Sequence, residues 1–189
     1  MTPRRTLLLE AAADLFASGG YHAVGIDEIG AAAGITGPGV YRHFPSKQAL
    51  LEALCDRAMT RMLQGAQDIP TAHADPYDAL VALLDLHVEF AVVERALLGV
   101  WAREQRALSD EVKRSLRARE RAYEQVWRSV ARRLREDLDD GEVALAVTAT
   151  LALLNSTALV PAAVPDDRLR TLLHRMALSA LLSRGTPAR

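Results

Sequence analysis

The chain has 189 residues, long enough for one or two domains with a proper core, and a formal net charge of −1 that excludes a globally basic protein. Half of it is hydrophobic but only 5% is aromatic, an Ala- and Leu-rich mix that favours helix over strand. The single cysteine, Cys55, excludes an intramolecular disulfide and a cysteine-rich zinc site, and fits a reducing cytosol.

In chain order, Pro3 to Ser18 reads as an amphipathic helix, with Leu8, Ala11, Ala12, Leu15 and Phe16 on one stripe. Glu10 and Asp14 interrupt its apolar run, so it is not a signal peptide. The SGGY stretch stops it through a glycine free to take a left-handed cap. Ile26 to Ala33 is a short second helix, with Gly25 as its N-cap and Asp27 and Glu28 at the favourable end of its dipole. Gly34 ends it. The segment ITGPGVYRHF leaves room for only a short third helix, and Ser46 is a natural N-cap for a long fourth one, Lys47 to Gln67.

The stretch QDIPTAHADPYD marks a change of organisation. Asp75 and Pro76 are a cap and a first-turn proline for a helix reaching Val93, with Leu80, Leu83, Leu84 and His87 on its inner face. Glu94 to Gln105 is a shorter helix, and Ser109-Asp110-Glu111 opens a long one to about Glu136. After DLDDGE comes an apolar helix, Glu142 to Leu159. VPAAVPDD then separates it from a last helix, Asp166 to Ser183. No segment alternates with period two. The reading is all-α, with roughly nine helices.

Val143 to Pro165 carries no charge over a length that could cross a bilayer. It contains Thr148, Thr150, Asn155, Ser156, Thr157 and Pro161, and no Lys/Arg cluster flanks it to set a topology. A helix buried between its own core and a second subunit is the simpler reading, and no membrane partner is expected.

Three short helices and a long one, with a tight turn at Gly34-Ile35-Thr36 joining the second and third, are the layout of a helix-turn-helix. The segment GYHAVGIDEIGAAAGITGPGVYRHFPSKQALLEAL resembles the DNA-binding domain of the TetR family of bacterial repressors. Its most specific residues are Gly34, the hydroxyl of Thr36, Val40-Tyr41, Phe44, Ser46-Lys47 and Leu50-Leu51. The resemblance implies a DNA-binding domain over residues 1–46 and a helical ligand-binding and dimerisation domain over 47–189. It also implies backbone contacts to DNA from Thr36, Tyr41, His43 and Lys47.

The residue chemistry agrees with that implication. Thr36 can cap the third helix and offer a hydroxyl to a phosphate, and Lys47 opens the long helix, whose free N–H groups attract phosphate. Arg42 is the best candidate for base readout, since its fork pairs with guanine O6 and N7. Pro38 falls in the first turn, where a missing N–H costs little. Gly37 and Gly39 each cost about 1 kcal/mol of helix stability against Ala and allow close approach of backbone to the groove. The family often has Thr or Ser where this chain has Gly25, which keeps a backbone cap but loses a side-chain phosphate contact.

In the second half, His87, Phe90, Trp101, Tyr123, Trp127 and Asn155 are large or polar residues in aliphatic helices, and are the candidate lining of an effector pocket. Core packing is the competing reading for each. From Trp101 to Glu136 there are eleven Arg/Lys against six Asp/Glu. This is either a solvated face laced by helical ion pairs or a site for an anionic ligand such as an acyl-CoA. Two apolar helices near the C-terminus, Glu142–Leu159 and Asp166–Ser183, are expected to form a four-helix homodimer interface.

The expectation is therefore a cytoplasmic, ligand-responsive repressor that binds a near-palindromic double-stranded operator as a homodimer. No cofactor is expected, and no metal-ligand spacing, nucleophile elbow or P-loop is present. A helical enzyme and an adaptor without DNA binding remain the alternatives.

Overall fold

A computed structural model describes residues 2–159 and 164–183. All of the regular structure among them is helical. The elements are α1 (Pro3–Gly19), α2 (Ile26–Ala32), α3 (Gly37–Tyr41), α4 (Lys47–Gln67), α5 (Ile69–Ala72), α6 (Pro76–Val93), α7 (Arg95–Glu104), α8 (Asp110–Leu134), α9 (Asp140–Asn155) and α10 (Asp166–Leu182). Short 3-10 turns follow α7 and α9. The nine expected helices are all present. The addition is α5, a single turn in the stretch read as a break, with proline in its first turn. The first half of the expected VPAAVPDD separator, residues 160–163, lies outside the described residues.

Local chemistry sets many of these boundaries. Ser46 Oγ accepts the Ala49 N–H at 3.0 Å and starts α4. Asp75 Oδ1 accepts the Tyr77 N–H at 2.8 Å and starts α6. A reciprocal capping box between Asp139 and Glu142 starts α9 two residues earlier than the sequence pattern indicates, at Asp140. This box carries Gly141 inside the helix.

The chain forms two compact units. The first comprises residues 1–60 and 95–118, the second residues 61–94 and 119–189. This division of packing differs from the boundary expected between residues 46 and 47. In the first unit, α1 buries Leu8, Leu9, Ala12 and Phe16 against Ile29 of α2, Val40 of α3 and Leu50 and Leu51 of α4. Leu97 and Val100 of α7, with Leu108 and Leu116 beyond it, complete the same core. Glu52 fastens that addition by accepting the Ser109 N–H at 2.9 Å.

Cys55 also lies in this core. Burial, followed by the negative field of Glu52, pushes its thiol up to about 12. It therefore packs as a small apolar side chain and is no nucleophile.

In the second unit α10 packs against both α6 and α9. Leu83, Leu84, Val88, Trp127, Val130, Val147, Leu154 and Ala177 are its buried centre. Two side-chain contacts tie α10 to α6: the ion pair of Arg170 with Glu89 at 2.8 Å, and His174 Nε2 3.3 Å from Asp85 Oδ1. Arg135, just past α8, is buried; it pairs with Asp137 and donates to the Leu181 carbonyl at 2.7 Å. The segment Asp140–Ala158 is long and apolar enough to span a bilayer by length and composition. One face of α9 is nevertheless committed to the unit's interior through Val143, Val147, Thr150, Leu151 and Leu154.

Candidate nucleic-acid interface

The turn between α2 and α3 depends on Gly34, whose φ of +70° lies in the left-handed region that a side chain disfavours. The Gly34 N–H bonds the Ala31 carbonyl at 3.1 Å and the Ile35 N–H bonds that of Gly30 at 2.9 Å. The chain therefore reverses within three residues. Val40 and Phe44 are buried and hold α3 to the core, as their spacing predicts. Thr36, Pro38, Tyr41 and Arg42 are exposed on the other side of α3, with Gly39 and His43 half-exposed. Tyr41 is 55% exposed, too open for a packing aromatic.

The start of α3 departs from a side-chain cap. Thr36 is the N-cap by backbone geometry, yet its hydroxyl makes no capping hydrogen bond. The Gly39 N–H bonds the Thr36 carbonyl at 2.8 Å instead. Gly37 is buried, and an added Cβ there would stand 1.8 Å from Asp27 Oδ1. The missing side chain thus makes room for a carboxylate from α2. At the start of α2, the Gly25 N–H donates to Glu28 Oε2 at 2.7 Å, so the backbone cap is closed by the helix's own third residue.

Gly37, Pro38, Tyr41 and Lys47 line one shallow concavity together with Ile26 and Asp27. Lys47 is placed differently from a free groove-edge cation. Its Nζ lies 2.8 Å from the Tyr21 carbonyl, 2.9 Å from that of Val24 and 3.3 Å from that of His22. It also stands 4.7 Å from the centroid of the Tyr21 ring. Arg4 donates to the Ala33 carbonyl at 3.1 Å. Arg5 donates to the His43 carbonyl and stacks 4.1 Å from the Phe44 centroid. Sequence reading missed these roles. The signal for the arginines was a basic pair in the first turn of α1, where cations oppose the dipole.

In the second unit, His87 joins three of the other residues singled out as pocket lining. It is buried, with Nδ1 2.9 Å from the Tyr123 hydroxyl and Nε2 3.0 Å from Asn155 Oδ1. The Trp127 ring meets the His87 ring edge-on at 6.0 Å between centroids. Trp127 Nε1 is buried and makes no close hydrogen bond, with the Tyr123 hydroxyl as a weak partner. Burial pushes the His87 imidazole down to about 4 and the Tyr123 phenol upward. Both are neutral near pH 7. Phe90 is half-buried on the same helix as His87. Trp101 is not part of this cluster. It is half-buried against the core of the first unit.

Part of the Arg-rich run is tied down within the protein. Arg128 pairs with Glu124 at 3.0 Å, Arg132 with Asp140 at 2.8 Å, and Arg133 donates to the Ala74 carbonyl.

Comparison with known proteins places this geometry. Residues 8–54 match the family model of bacterial regulatory proteins, tetR family, and residues 73–159 match that of a tetracyclin repressor-like C-terminal domain. The chain is 36% identical over 87 residues to the HTH-type transcriptional activator FasR of Mycolicibacterium smegmatis. That match covers 46% of this chain and 40% of the relative's length. It is 27% identical over 139 residues to the HTH-type transcriptional repressor KstR2 of Mycobacterium tuberculosis, covering 73% of this chain and 68% of the relative. The solved structure of the TetR family regulator PfmR from Thermus thermophilus shares the fold, with a TM-score of 0.82 at 24% identity. There the match covers 95% of this chain and 99% of that one.

Proposed function

The chain belongs to the TetR family of bacterial regulatory proteins and is a DNA-binding transcriptional regulator, and on that premise we propose that it is a homodimeric repressor released from its operator by a small, largely apolar effector. The observation that carries the DNA-binding half of this proposal is the outward face of α3, where exposed Thr36, Pro38, Tyr41 and Arg42 stand beside half-exposed Gly39 and His43. The uncommitted Thr36 hydroxyl and the Tyr41 phenol are phosphate contacts in this reading, and the Arg42 fork reads a guanine edge. The Gly25 amide is already used by Glu28, so α2 contributes little there. Acting on genomic DNA places the protein in the cytoplasm.

The second subunit is expected on α9 and α10. Leu145 is 70% exposed, and Leu172 and Met176 are also exposed. They extend the apolar face of a helix pair already packed together. A two-fold dimer implies half-sites about 34 Å apart.

The effector reading rests on the His87, Tyr123, Trp127 and Asn155 cluster. Neutral hydrogen-bonding groups set among aliphatic side chains suit an apolar molecule with a single polar group. The Trp127 N–H, which makes no close hydrogen bond and has the Tyr123 hydroxyl as a weak partner, can donate to an acceptor oxygen of that group. Internal pairing of the Arg-rich run leaves less there for the phosphates of an acyl-CoA, so that more anionic ligand is the second reading.

The test is retention of a fragmented genomic DNA pool at low and high salt, with the retained fragments sequenced. Binding that weakens with salt is expected. No retention at low salt overturns the regulator reading. If no small-molecule fraction of host lysate weakens operator binding, the effector half fails. A reporter gene whose output falls when the protein is deleted marks an activator instead.

A further inference from the structure

The third helix begins with a glycine whose side-chain space is already taken. An added Cβ at Gly37 would stand 1.8 Å from Asp27 Oδ1 and 3.0 Å from Asp27 Cγ. Gly37 is buried beneath that carboxylate, while Asp27 itself is exposed. The first position of α3 therefore carries an acidic group after all, supplied by the first turn of α2. Pro38 and Tyr41, both exposed, line the same concavity as Asp27. The N-terminal residues of a recognition helix are the ones that meet base edges in the major groove. On this face Arg42 offers only donors and Asp27, ionised, only acceptors. Lys47 lines the concavity too, and its positive charge lowers the cost of bringing a carboxylate up to DNA.

We propose that Asp27 is a specificity-determining residue that reads a cytosine in each half-site, standing in for the side chain that Gly37 lacks. This rests on the DNA-binding reading of α3. A carboxylate in the major groove is repelled by most of what it meets there. Guanine presents the acceptors N7 and O6, and thymine presents O4. Adenine sets an acceptor, N7, beside its N6 donor. Cytosine alone presents a donor, its N4 amino group, with no acceptor next to it. A hydrogen bond from that amino group to the Asp27 carboxylate is charge-assisted. Any other base leaves the carboxylate desolvated without a full partner. Asp27 thus selects chiefly by rejecting wrong bases, whereas Arg42 selects by pairing with guanine.

The experiment uses the full chain and a library of duplexes randomised over the operator length. Retained duplexes are sequenced for the unchanged protein and for Asp27→Asn. The variant keeps the shape of the side chain over Gly37 and exchanges one acceptor oxygen for a donor. The unchanged protein should select cytosine at one position of each half-site. Asp27→Asn should weaken that selection by about tenfold and move it toward adenine, whose N6 and N7 an amide pairs with. Preference at the other positions, the guanine of Arg42 included, should stay. Binding to unrelated DNA should tighten, since a negative charge facing the phosphates is gone. The same bases selected at every position by both proteins overturn the assignment. Weaker binding to all sequences alike overturns it too, because it marks a residue that only holds α3 in place. If Asp27→Asn fails to fold, Asp27→Ser carries the same comparison, with weaker selection of cytosine expected. Absence of any retained duplex with the unchanged protein overturns the regulator reading and this assignment with it, whereas unaltered selection in the variant overturns this assignment alone.

Discussion

His87 Nε2 lies 3.0 Å from Asn155 Oδ1, and an amide oxygen can only accept, so this nitrogen carries the proton. Nδ1 is then the acceptor, and the Tyr123 hydroxyl 2.9 Å away donates to it. The imidazole is held in one neutral tautomer by two helices other than its own. Protonation would place the ring's second N–H hydrogen on Nδ1, against a hydroxyl already pointing at it.

That arrangement fixes the sign of a pH effect. The folded imidazole sits at about 4, below its ordinary value of 6.5, because burial disfavours the charged form. Above 6.5 both folded and unfolded chains hold it neutral and stability is unaffected. Between 6.5 and 4 the unfolded chain takes up the proton and the folded chain does not. Stability therefore falls as pH falls, by about 3 kcal/mol across the window. Urea unfolding at pH 7.5, 6, 5 and 4 checks this, and His87→Gln should flatten the decline. An unchanged decline in the variant would assign it elsewhere.

Tyr123→Phe removes one hydroxyl from the same network. Nδ1 of His87 then stays buried without a donor, at a cost of about 1–3 kcal/mol. Chemical denaturation reads the loss directly. The variant should still bind DNA in the absence of effector, since Tyr123 belongs to the second unit.

Arg42→Ala tests how much sequence readout rests on one side chain. Arg42 is exposed on α3, beside glycines that offer no side chain. Discrimination between operator and unrelated DNA should drop by about 1–3 kcal/mol. Competition binding with the two DNAs measures it. Intact preference would shift the readout to DNA shape.

Gly37→Ala drives a methyl group into the place of the Asp27 carboxylate. The carboxylate can swing aside, so the variant should fold but lose about 1–2 kcal/mol. Asp27→Ala in the same chain should recover part of that loss, with a coupling of about 0.5–3 kcal/mol in a double-mutant cycle. Simple additivity would mean that the two residues do not compete for one space.

Leu145→Glu combined with Met176→Glu places charge on the exposed apolar face of α9 and α10. Sedimentation should show a dimer for the unchanged protein and a monomer for the variant, and operator affinity should fall with it. A dimer that persists would move the interface off this face.

Much of this was readable in the residues. The periodicity of Leu8, Ala12 and Phe16, and the caps at Ser46 and Asp75, act within four residues, so local pattern fixes them. The turn at Gly34 was equally local. Contacts over long separations were not readable. The carbonyls that hold Lys47 come from residues 23 to 26 positions earlier, and the partners of His87 lie 36 and 68 positions away. Trp101 stood out only as a large residue in an aliphatic helix, and nothing local told which of two cores it packs against. The one-turn α5 escaped because its four residues carry no repeat for a periodicity to show. Gly37 was expected to permit close approach of backbone to the groove, but no local pattern signalled that the Asp27 carboxylate occupies the space of its missing side chain.

The Asp27 carboxylate over Gly37 also limits how this regulator can diverge. A new operator preference is most simply acquired by adding a base-reading side chain at the start of the recognition helix. Position 37 is disfavoured for that route while Asp27 stands, because any side chain there displaces the carboxylate at a cost in stability. Exposed Pro38 fixes its own backbone, so new specificity has to be written at Gly39, Arg42 and His43. Duplicated copies of this gene should therefore drift apart in the second half of α3 and the residues after it, while Asp27 and Gly37 are inherited as a pair.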